Sequence, residues 1–259
     1  MSAVEPMTNP LKQFLNAAWR EVKQLAPVIL AVLAARVFLA EPYYVPSGSM
    51  EPTLAIGDDL ITSKYAYGYS RYSMFFGWGP ASETRLFQRM PERGDVVVFR
   101  LPRDPDINYV KRVVGLPGDR LQVLNGRLWI NGEELPVRQE KNDIVEGSDG
   151  SLLPIERYTE TLPGGKEHPI FKNSTFGPYN NTEEYAVPPG HLFMMGDNRD
   201  NSSDSRVPPE HGGVGYVPVE NLVGRAEFIL GSYDFLSTTN DIKSWFGAIR
   251  LSRFLGPIS

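Results

Sequence analysis

Two Asn-Gly pairs in the stretch LQVLNGRLWING, residues 121–132, restrict the possible folds more than any other feature of the sequence. Apolar residues flank the first pair, and Asn-Gly is typical of the two-residue turn that joins two strands of a β-hairpin. The second pair is expected to turn the chain into a further strand. Other apolar runs of strand length are DVVVF (95–99), YVKRVVG (109–115), HLFMMGD (191–197) and VGRAEFIL (223–230). With 24 glycines and 22 prolines, which favour turns over long helices, these runs predict a mainly β fold.

An N-terminal apolar segment, residues 25–40, is the exception to the β pattern, with the sequence LAPVILAVLAARVFLA. At about 1.5 Å per residue, a helix of this length lies near the lower limit for crossing a bilayer core. Arg36 is close enough to the end of the segment to reach the interface. Because basic residues precede the segment, the positive-inside rule puts residues 1–24 in the cytoplasm and residues 41–259 outside. We expect an uncleaved membrane anchor; the alternatives are a buried helix of a soluble protein and a cleaved secretion signal.

The charge and the reactive side chains exclude several classes of function. A net charge of −5 provides no basic surface for nucleic acid. The absence of cysteine excludes disulfides, a thiol nucleophile and thiolate metal sites. The three histidines, His168, His191 and His211, lie in polar or turn contexts without metal-ligand spacing, so neither a zinc site nor a histidine triad is expected.

Two further segments have less definite patterns. Residues 136–186 are polar with little periodicity, which indicates a peripheral insertion of loops and ribbons. The C-terminal stretch SWFGAIRLSRFLGPIS, residues 244–259, mixes aromatic, aliphatic and basic residues. It is expected either to lie on a membrane surface or to pack on the body of the protein, and the sequence favours neither.

The stretch PSGSMEPTL, residues 46–54, places two serines in a stiff frame shortly after the apolar segment. Pro46 and Pro52 restrict the backbone, and Gly48 permits a close approach of substrate. A serine nucleophile needs a hydroxyl held in place, a base and an oxyanion hole. Linkers have the same composition, so this stretch alone leaves both interpretations open.

The run YVKRVVG contains a candidate base. Side chains alternate along a strand, so Lys111 and Arg112 are expected on opposite faces. Arginine stays charged and should reach solvent or a carboxylate. A desolvated lysine has a pKa lowered by up to ~3–5 units, which makes Lys111 a candidate general base. The alternative is a lysine at a strand end with its ammonium in water.

The stretch GDNRDNSSDSR, residues 196–206, is unusually dense in charged and hydroxyl side chains. Its aspartates are expected to pair with its arginines in a rigid polar turn, and one of its serines to orient a neutral lysine. Those aspartates are Asp197, Asp200 and Asp204, the arginines are Arg199 and Arg206, and the serines are Ser202, Ser203 and Ser205. A Ser–Lys pair replaces the Ser–His–Asp triad in some hydrolases. A solvated loop and a calcium site are the alternatives.

These stretches resemble ordered blocks of the bacterial type I signal peptidases, also called leader peptidases. The blocks are PSGSMEPTLAIGD (46–58), RGDVVVF (93–99), YVKRVVGLPGD (109–119) and GDNRDNSSDSR (196–206), with RLSR (250–253) near the end. An anchor leads into the first block, as in that family. The resemblance implies a β-sheet catalytic domain with a smaller variable β/loop insertion at 130–186, preceded by one transmembrane helix.

The resemblance also implies roles for individual residues. Ser49 is similar to the nucleophile and Lys111 to the general base, and the Ser47 hydroxyl with the Ser49 N–H would form the oxyanion hole. Ser202 matches a serine that orients the lysine. The residues that match the support of the site are Asp197, Asp204 and Arg206. The residues that match pocket walls, all apolar or aromatic, are Tyr43, Val45, Met50, Leu54, Leu60, Val98, Tyr109 and Val110.

The implied reaction is removal of N-terminal signal peptides from exported preproteins, after small residues in an A-x-A-like pattern. The partners would be preprotein signal peptides and membrane lipid, at the bacterial inner membrane with the catalytic domain outside. No metal, organic cofactor or nucleic acid is expected. Two other hypotheses are a non-catalytic, membrane-anchored β scaffold that binds envelope partners and a self-cleaving Ser–Lys regulator. The regulator needs a DNA-binding domain, for which the short N-terminal segment has no room.

Overall fold

The computed structural model describes residues 10–74, 85–146, 152–172, 177, 179–234 and 247–258, and the fold is given for these residues. It begins with one long helix, α1 (Pro10–Phe38), and continues as strands joined by turns and short 3-10 helices. The mainly β architecture predicted from the sequence is therefore confirmed. All strand pairs with an assigned register are antiparallel.

A seven-stranded sheet forms the centre of the molecule, and its strand order is β1-β2-β15-β3-β4-β13-β14. These strands are β1 (Ala40–Tyr44), β2 (Asp58–Ser63), β3 (Val96–Leu101), β4 (Asp104–Gly115), β13 (His191–Met195), β14 (Val217–Pro218) and β15 (Leu222–Ser232). Both faces are covered: Val97 and Phe99 pack in one hydrophobic cluster, and Val96 and Val98 pack in another. This alternation follows from the two-residue period of a strand, and it explains the continuous apolar run in β3.

A second sheet has the order β12-β5-β6-β7 and contains both Asn-Gly turns. Its strands are β5 (Arg120–Leu124), β6 (Arg127–Ile130), β7 (Glu133–Glu134) and β12 (Tyr185–Ala186). Asn125 and Gly126 both have positive φ, as do Asn131 and Gly132. Two successive positive φ angles are the backbone of the type I′ turn, so both predicted turns are confirmed.

The third sheet lies within the section that the sequence presented as loops and ribbons. It has the order β11-β10-β8, with β9 also paired to β10. Its strands are β8 (Val137–Gln139), β9 (Asp143–Glu146), β10 (Leu152–Thr161) and β11 (Glu167–Lys172). The section is more regular than its sequence indicated. Its buried positions include the polar residues Glu160 and His168, so the alternation of apolar and polar residues that is typical of a strand is not visible in the sequence.

The end of α1 leads directly into the edge strand β1. Lys64 donates hydrogen bonds to the Arg36 carbonyl (3.3 Å) and to Glu41 Oε2 (3.0 Å), and the Tyr69 hydroxyl donates to the Phe38 carbonyl (2.7 Å). These contacts occupy carbonyls that the last turn of a helix leaves free. Among the described residues, no helix combines the length and apolar character that crossing a membrane requires.

The described part of the C-terminal stretch, residues 247–258, packs on the body of the protein. Arg253 donates two hydrogen bonds to the buried Asp58 carboxylate, at 3.0 and 2.6 Å. Pro257 pairs with Phe228 of β15 in an isolated bridge. Of the two arrangements that the sequence left open, packing on the body is therefore the one observed for these residues.

Candidate active site

Ser49 lies in a short 3-10 helix, Gly48–Met50, that follows β1. The Met50 side chain is fully buried in the cluster beneath the sheet, and this contact fixes the helix to the core. Ser49 itself is partly exposed. The stiff frame expected from the prolines therefore holds a hydroxyl at the surface of a rigid turn.

Lys111 lies in the middle of β4, and its amine reaches Ser49. The Lys111 Nζ to Ser49 Oγ distance is 2.6 Å, and Nζ also donates to the Val110 carbonyl at 3.1 Å. The Tyr109 ring lies below the amine, with 5.4 Å between Nζ and the ring centroid. Only 3% of the residue is exposed, so the alternative of an ammonium in open water does not describe this lysine.

Burial changes the acid–base behaviour of this amine. Desolvation lowers the pKa of Lys111 to about 8 from its ordinary value of 10.5, although the negative charges of Asp204 and Asp197 act in the opposite direction. The pKa of a general base is most useful when it lies near the working pH. The amine is thus neutral in a substantial fraction of molecules under mildly alkaline conditions.

Arg112 points to the opposite face of β4 and is fully buried. Its guanidinium donates to both carboxylate oxygens of Asp197, at 2.8 and 2.7 Å, and to the Gly94 carbonyl at 2.7 Å. Of the two partners expected for this arginine, solvent or a carboxylate, the structure shows a carboxylate. Burial raises the pKa of Asp197, but the Arg112 guanidinium outweighs this effect and holds that pKa well below its usual range.

The polar turn after β13 has some of the expected ion pairs and lacks others. Asp204 accepts two hydrogen bonds from Arg206, at 2.9 and 2.8 Å. Arg199 does not pair with an aspartate of the turn; its guanidinium binds both oxygens of Glu160 in β10. The expected pairing of Arg206 with an aspartate of the turn is therefore observed, whereas Arg199 pairs instead with a carboxylate on the third sheet.

The serines expected to support Ser49 and Lys111 differ in burial and in their hydrogen bonds. Ser202 is buried, and its Oγ has no hydrogen-bond partner among the residues that the structure describes, so the expected bond to Lys111 is not formed. Ser205 accepts a hydrogen bond from the Met194 N–H, and Ser203 donates one to the Gly212 carbonyl. Ser47 is exposed, with 3.4 Å between its Oγ and the Ser49 Oγ.

A cleft of about 410 Å³ opens beside Ser49 and Lys111. The expected wall residues that line it are Tyr43, Leu60, Val98, Tyr109 and Val110. Further lining residues are Tyr44, Pro46, Ile107, Asn108, Asn201 and Ser203. Within the described chain, no group of three or more potential ligands is arranged to hold a metal ion.

The remaining expected wall residues require a correction. Val45, Met50 and Leu54 are not among the residues that line the cleft; they pack in the same core cluster as Leu60 and Val98, which do line it. Their apolar character suits a wall and a core equally well, and the sequence does not distinguish the two.

Comparison with known proteins assigns this arrangement to a family. The model of the family described as "Signal peptidase, peptidase S26" matches residues 18–231. The chain belongs to this family. It is accordingly a serine endopeptidase, and the hypothesis of a non-catalytic scaffold is wrong.

Relatives within the peptidase S26 family match over most of their length. The signal peptidase I of Rickettsia typhi is 40% identical over 87% of this chain and 88% of its own. That of Rickettsia prowazekii is 39% identical over 90% of this chain and 91% of its own. A solved signal peptidase I from Enterococcus faecalis is 26% identical and covers 53% of this chain and 97% of its own, with a TM-score of 0.31, and the assignment does not depend on it.

Two residues of this peptidase were missed by the sequence analysis. His168 lies on β11 rather than in a turn, and it is buried between two carboxylates, with Nδ1 3.4 Å from Asp197 and Nε2 3.2 Å from Glu160. Burial raises the pKa of Glu160, but the Arg199 guanidinium outweighs this and lowers it well below its usual range. No pattern in the polar stretch distinguishes such buried groups from exposed ones.

Proposed function

We propose that this chain is a membrane-anchored peptidase that removes N-terminal signal peptides from exported preproteins, with Ser49 as nucleophile and Lys111 as general base. The observation that carries the proposal is the 2.6 Å distance between Lys111 Nζ and Ser49 Oγ in a place where the amine is buried. The substrate class is inferred from the relatives, which are called signal peptidase I.

The proposed reaction begins with the neutral amine of Lys111. It takes the proton of the Ser49 hydroxyl as Oγ attacks the scissile carbonyl, and the resulting ammonium then gives a proton to the leaving amine. The Ser47 hydroxyl and the Ser49 N–H would stabilise the oxyanion of the tetrahedral intermediate. Water, activated by the same lysine, then hydrolyses the acyl-enzyme and frees Ser49.

The cleft supports specificity for small residues. Leu60, Val98 and Tyr43 line the cleft beside Ser49, where their bulk would limit the size of a substrate side chain, and an extended peptide beside β1 would add main-chain hydrogen bonds. The Tyr43 hydroxyl donates to Glu41 Oε2 at 3.0 Å, and Glu41 is itself paired with Lys64, which holds this wall in place. Signal peptides with alanine-like residues before the cut fit such a site.

Membrane attachment through residues 25–40 is the second part of the proposal. The large apolar side chains of α1 are exposed in the isolated chain, among them Leu30, Val32 and Leu33. A bilayer would cover them, and an inner-membrane anchor would concentrate the enzyme where preproteins emerge. Alkaline extraction of membranes is expected to leave the protein in the pellet, and release into the supernatant would contradict the anchor.

The decisive experiment compares Ser49→Ala and Lys111→Ala with wild type in detergent, using one preprotein as substrate. Each variant is expected to lose processing while it keeps the wild-type circular-dichroism melt. Ser252→Ala and Lys141→Ala, which remove the same groups at exposed positions, are the matched controls and should process normally. Substantial processing by either site variant would refute the dyad.

Mass spectrometry of the products tests the proposed specificity in the same assay. The cut is expected after alanine, glycine or serine. Cleavage after a residue as large as leucine or phenylalanine would contradict the argument from the cleft walls.

A further inference from the structure

Asn198, in the turn after β13, contacts both peptide units that adjoin Ser49. Its backbone N–H donates to the Ser49 carbonyl at 3.2 Å. Its side-chain Nδ2 donates to the Gly48 carbonyl at 3.1 Å. Asn198 is 3% exposed, so these bonds form in the interior and do not compete with solvent.

The Gly48 carbonyl and the Ser49 N–H belong to one peptide unit. That unit is trans, so its C=O and N–H point in opposite directions. Asn198 Nδ2 and the Glu51 N–H, which donates at 3.1 Å, both hold this carbonyl, so the Ser49 N–H is directed away from them. Outside the short helix, this N–H donates to no backbone acceptor within the described residues, which leaves it available to a substrate oxygen.

The orientation of the Asn198 amide is determined by its partner. The Gly48 oxygen only accepts hydrogen bonds, so it must face Nδ2 rather than Oδ1. Oδ1 is left buried without a partner among the described groups, which destabilises the fold. The group of this side chain that is paired, Nδ2, is the one that contacts the peptide unit of Ser49.

The third sheet is bonded to the residues on either side of Asn198. The Phe171 N–H donates to the Asp197 carbonyl, and the Arg199 N–H donates to the Phe171 carbonyl, both at 2.9 Å. Glu160 binds the Arg199 guanidinium through both oxygens. The residues on each side of Asn198 are thus fixed to β10 and β11, which keeps its side chain in one place.

We infer that Asn198 is a positioning residue that aims the Ser49 N–H at the oxyanion of the tetrahedral intermediate. The inference rests on the proposed role of Ser49 as nucleophile. The side chain of Asn198 acts through the peptide unit that joins Gly48 to Ser49.

The test uses two variants, Asn198→Ala and Asn198→Leu. The second keeps the shape of the side chain without its donor, and it decides the question where the first does not fold. Both are expected to lower kcat by about 100-fold, near the lower end of the cost of losing an oxyanion donor, with KM little changed. The midpoint of the pH profile should stay at its wild-type value, because Lys111 is not touched.

A peptide boronate provides a readout that a loss of stability would not produce. Its boron forms a tetrahedral adduct with Ser49 Oγ and places an oxygen where the oxyanion would lie. The affinity of the variants for the boronate is expected to fall by the same factor as kcat. Their affinity for the signal-peptide product, which has no tetrahedral centre, is expected to stay at the wild-type value. Asn221→Ala is the matched control, since Asn221 is also buried and donates to a carbonyl, that of Arg100, at 2.9 Å.

Wild-type kcat or undiminished boronate affinity in folded Asn198→Leu would overturn the inference. A loss confined to KM, or an equal loss in Asn221→Ala, would also overturn it. These results differ from failure of the proposed function, which would appear as processing by Ser49→Ala.

Discussion

Raising the pH from 6 to 9 is expected to increase kcat/KM for a preprotein about 100-fold, with a midpoint near pH 8, the pKa of the buried Lys111 amine. Only the neutral amine accepts a proton, so activity below the midpoint should fall about tenfold for each pH unit. At pH 7 about a tenth of the molecules carry the neutral amine, whereas about one in 3,000 would carry it if the pKa of the lysine were 10.5. Burial of this side chain is therefore responsible for about a 300-fold gain at neutral pH.

The measurement is kcat/KM in detergent between pH 6 and 9.5, with Ser49→Ala as the blank for background hydrolysis. Lys111→Arg is the matched variant, because arginine has similar length but stays protonated throughout this range. It should be inactive at every pH while it keeps the wild-type melting temperature within a few degrees. A circular-dichroism spectrum at each pH shows whether the protein is still folded, so that a change in activity from titration of Lys111 is distinguished from one caused by unfolding.

A flat profile between pH 6 and 9 would refute the argument, since a neutral lysine base requires a rise. A profile that still rises tenfold per pH unit at pH 9.5 would show that the amine is as well solvated as an ordinary lysine. Activity of Lys111→Arg above the Ser49→Ala blank would show that the proton goes elsewhere.

Three further substitutions test the packing around the site. Gly196→Ala is expected to lower kcat about 100-fold, because its β-carbon would overlap the Ser49 carbonyl oxygen; steady-state kinetics measure the loss. Leu60→Ala is expected to raise the rate of cleavage after valine about tenfold by deepening the cleft, which product mass spectrometry checks. Asp197→Asn is expected to lower the free energy of unfolding by about 3–5 kcal/mol, because it removes the charge paired with buried Arg112; urea unfolding measures it.

Each of these three predictions would be contradicted by a specific result. Wild-type kcat in Gly196→Ala would mean that the turn shifts freely past the nucleophile. Unchanged cut sites in Leu60→Ala would place the selective wall elsewhere. A loss below 1 kcal/mol in Asp197→Asn would mean that the buried guanidinium is satisfied by its carbonyl and hydroxyl contacts.

Much of the fold is predictable from the sequence because its determinants are local. Asn-Gly at 125–126 and 131–132 adopts the positive φ angles that a two-residue turn needs, and the apolar runs at 95–99 and 109–115 become β3 and β4. The alternation within β4 separates Lys111 from Arg112, and the permanent charge of the arginine limited its expected partners to solvent or a carboxylate, of which the second is observed.

The parts that were not predictable depend on contacts between segments distant in sequence. Glu160 of β10 pairs with Arg199 of the turn after β13, and in a polar stretch the sequence does not distinguish a buried carboxylate from an exposed one. His168 is misjudged for the same reason. Whether an apolar residue such as Met50 lines a cleft or fills a core depends on the packing of a loop, for which the sequence has no period.

If residues 25–40 anchor the chain as proposed, the junction between α1 and β1 limits how far from the bilayer the enzyme can act. Ser49 follows the last residue of the helix, Phe38, by so short a segment that, at about 3.3 Å per residue, the two lie no more than about 35 Å apart. Lys64 and Tyr69 hold the helix end against the sheet, so this distance does not vary by bending at the junction. With α1 in the membrane as proposed, the segment between Phe38 and Ser49 would fix the distance of the cut from the lipid surface. Lengthening the segment before β1 would then move the preferred cut away from that surface.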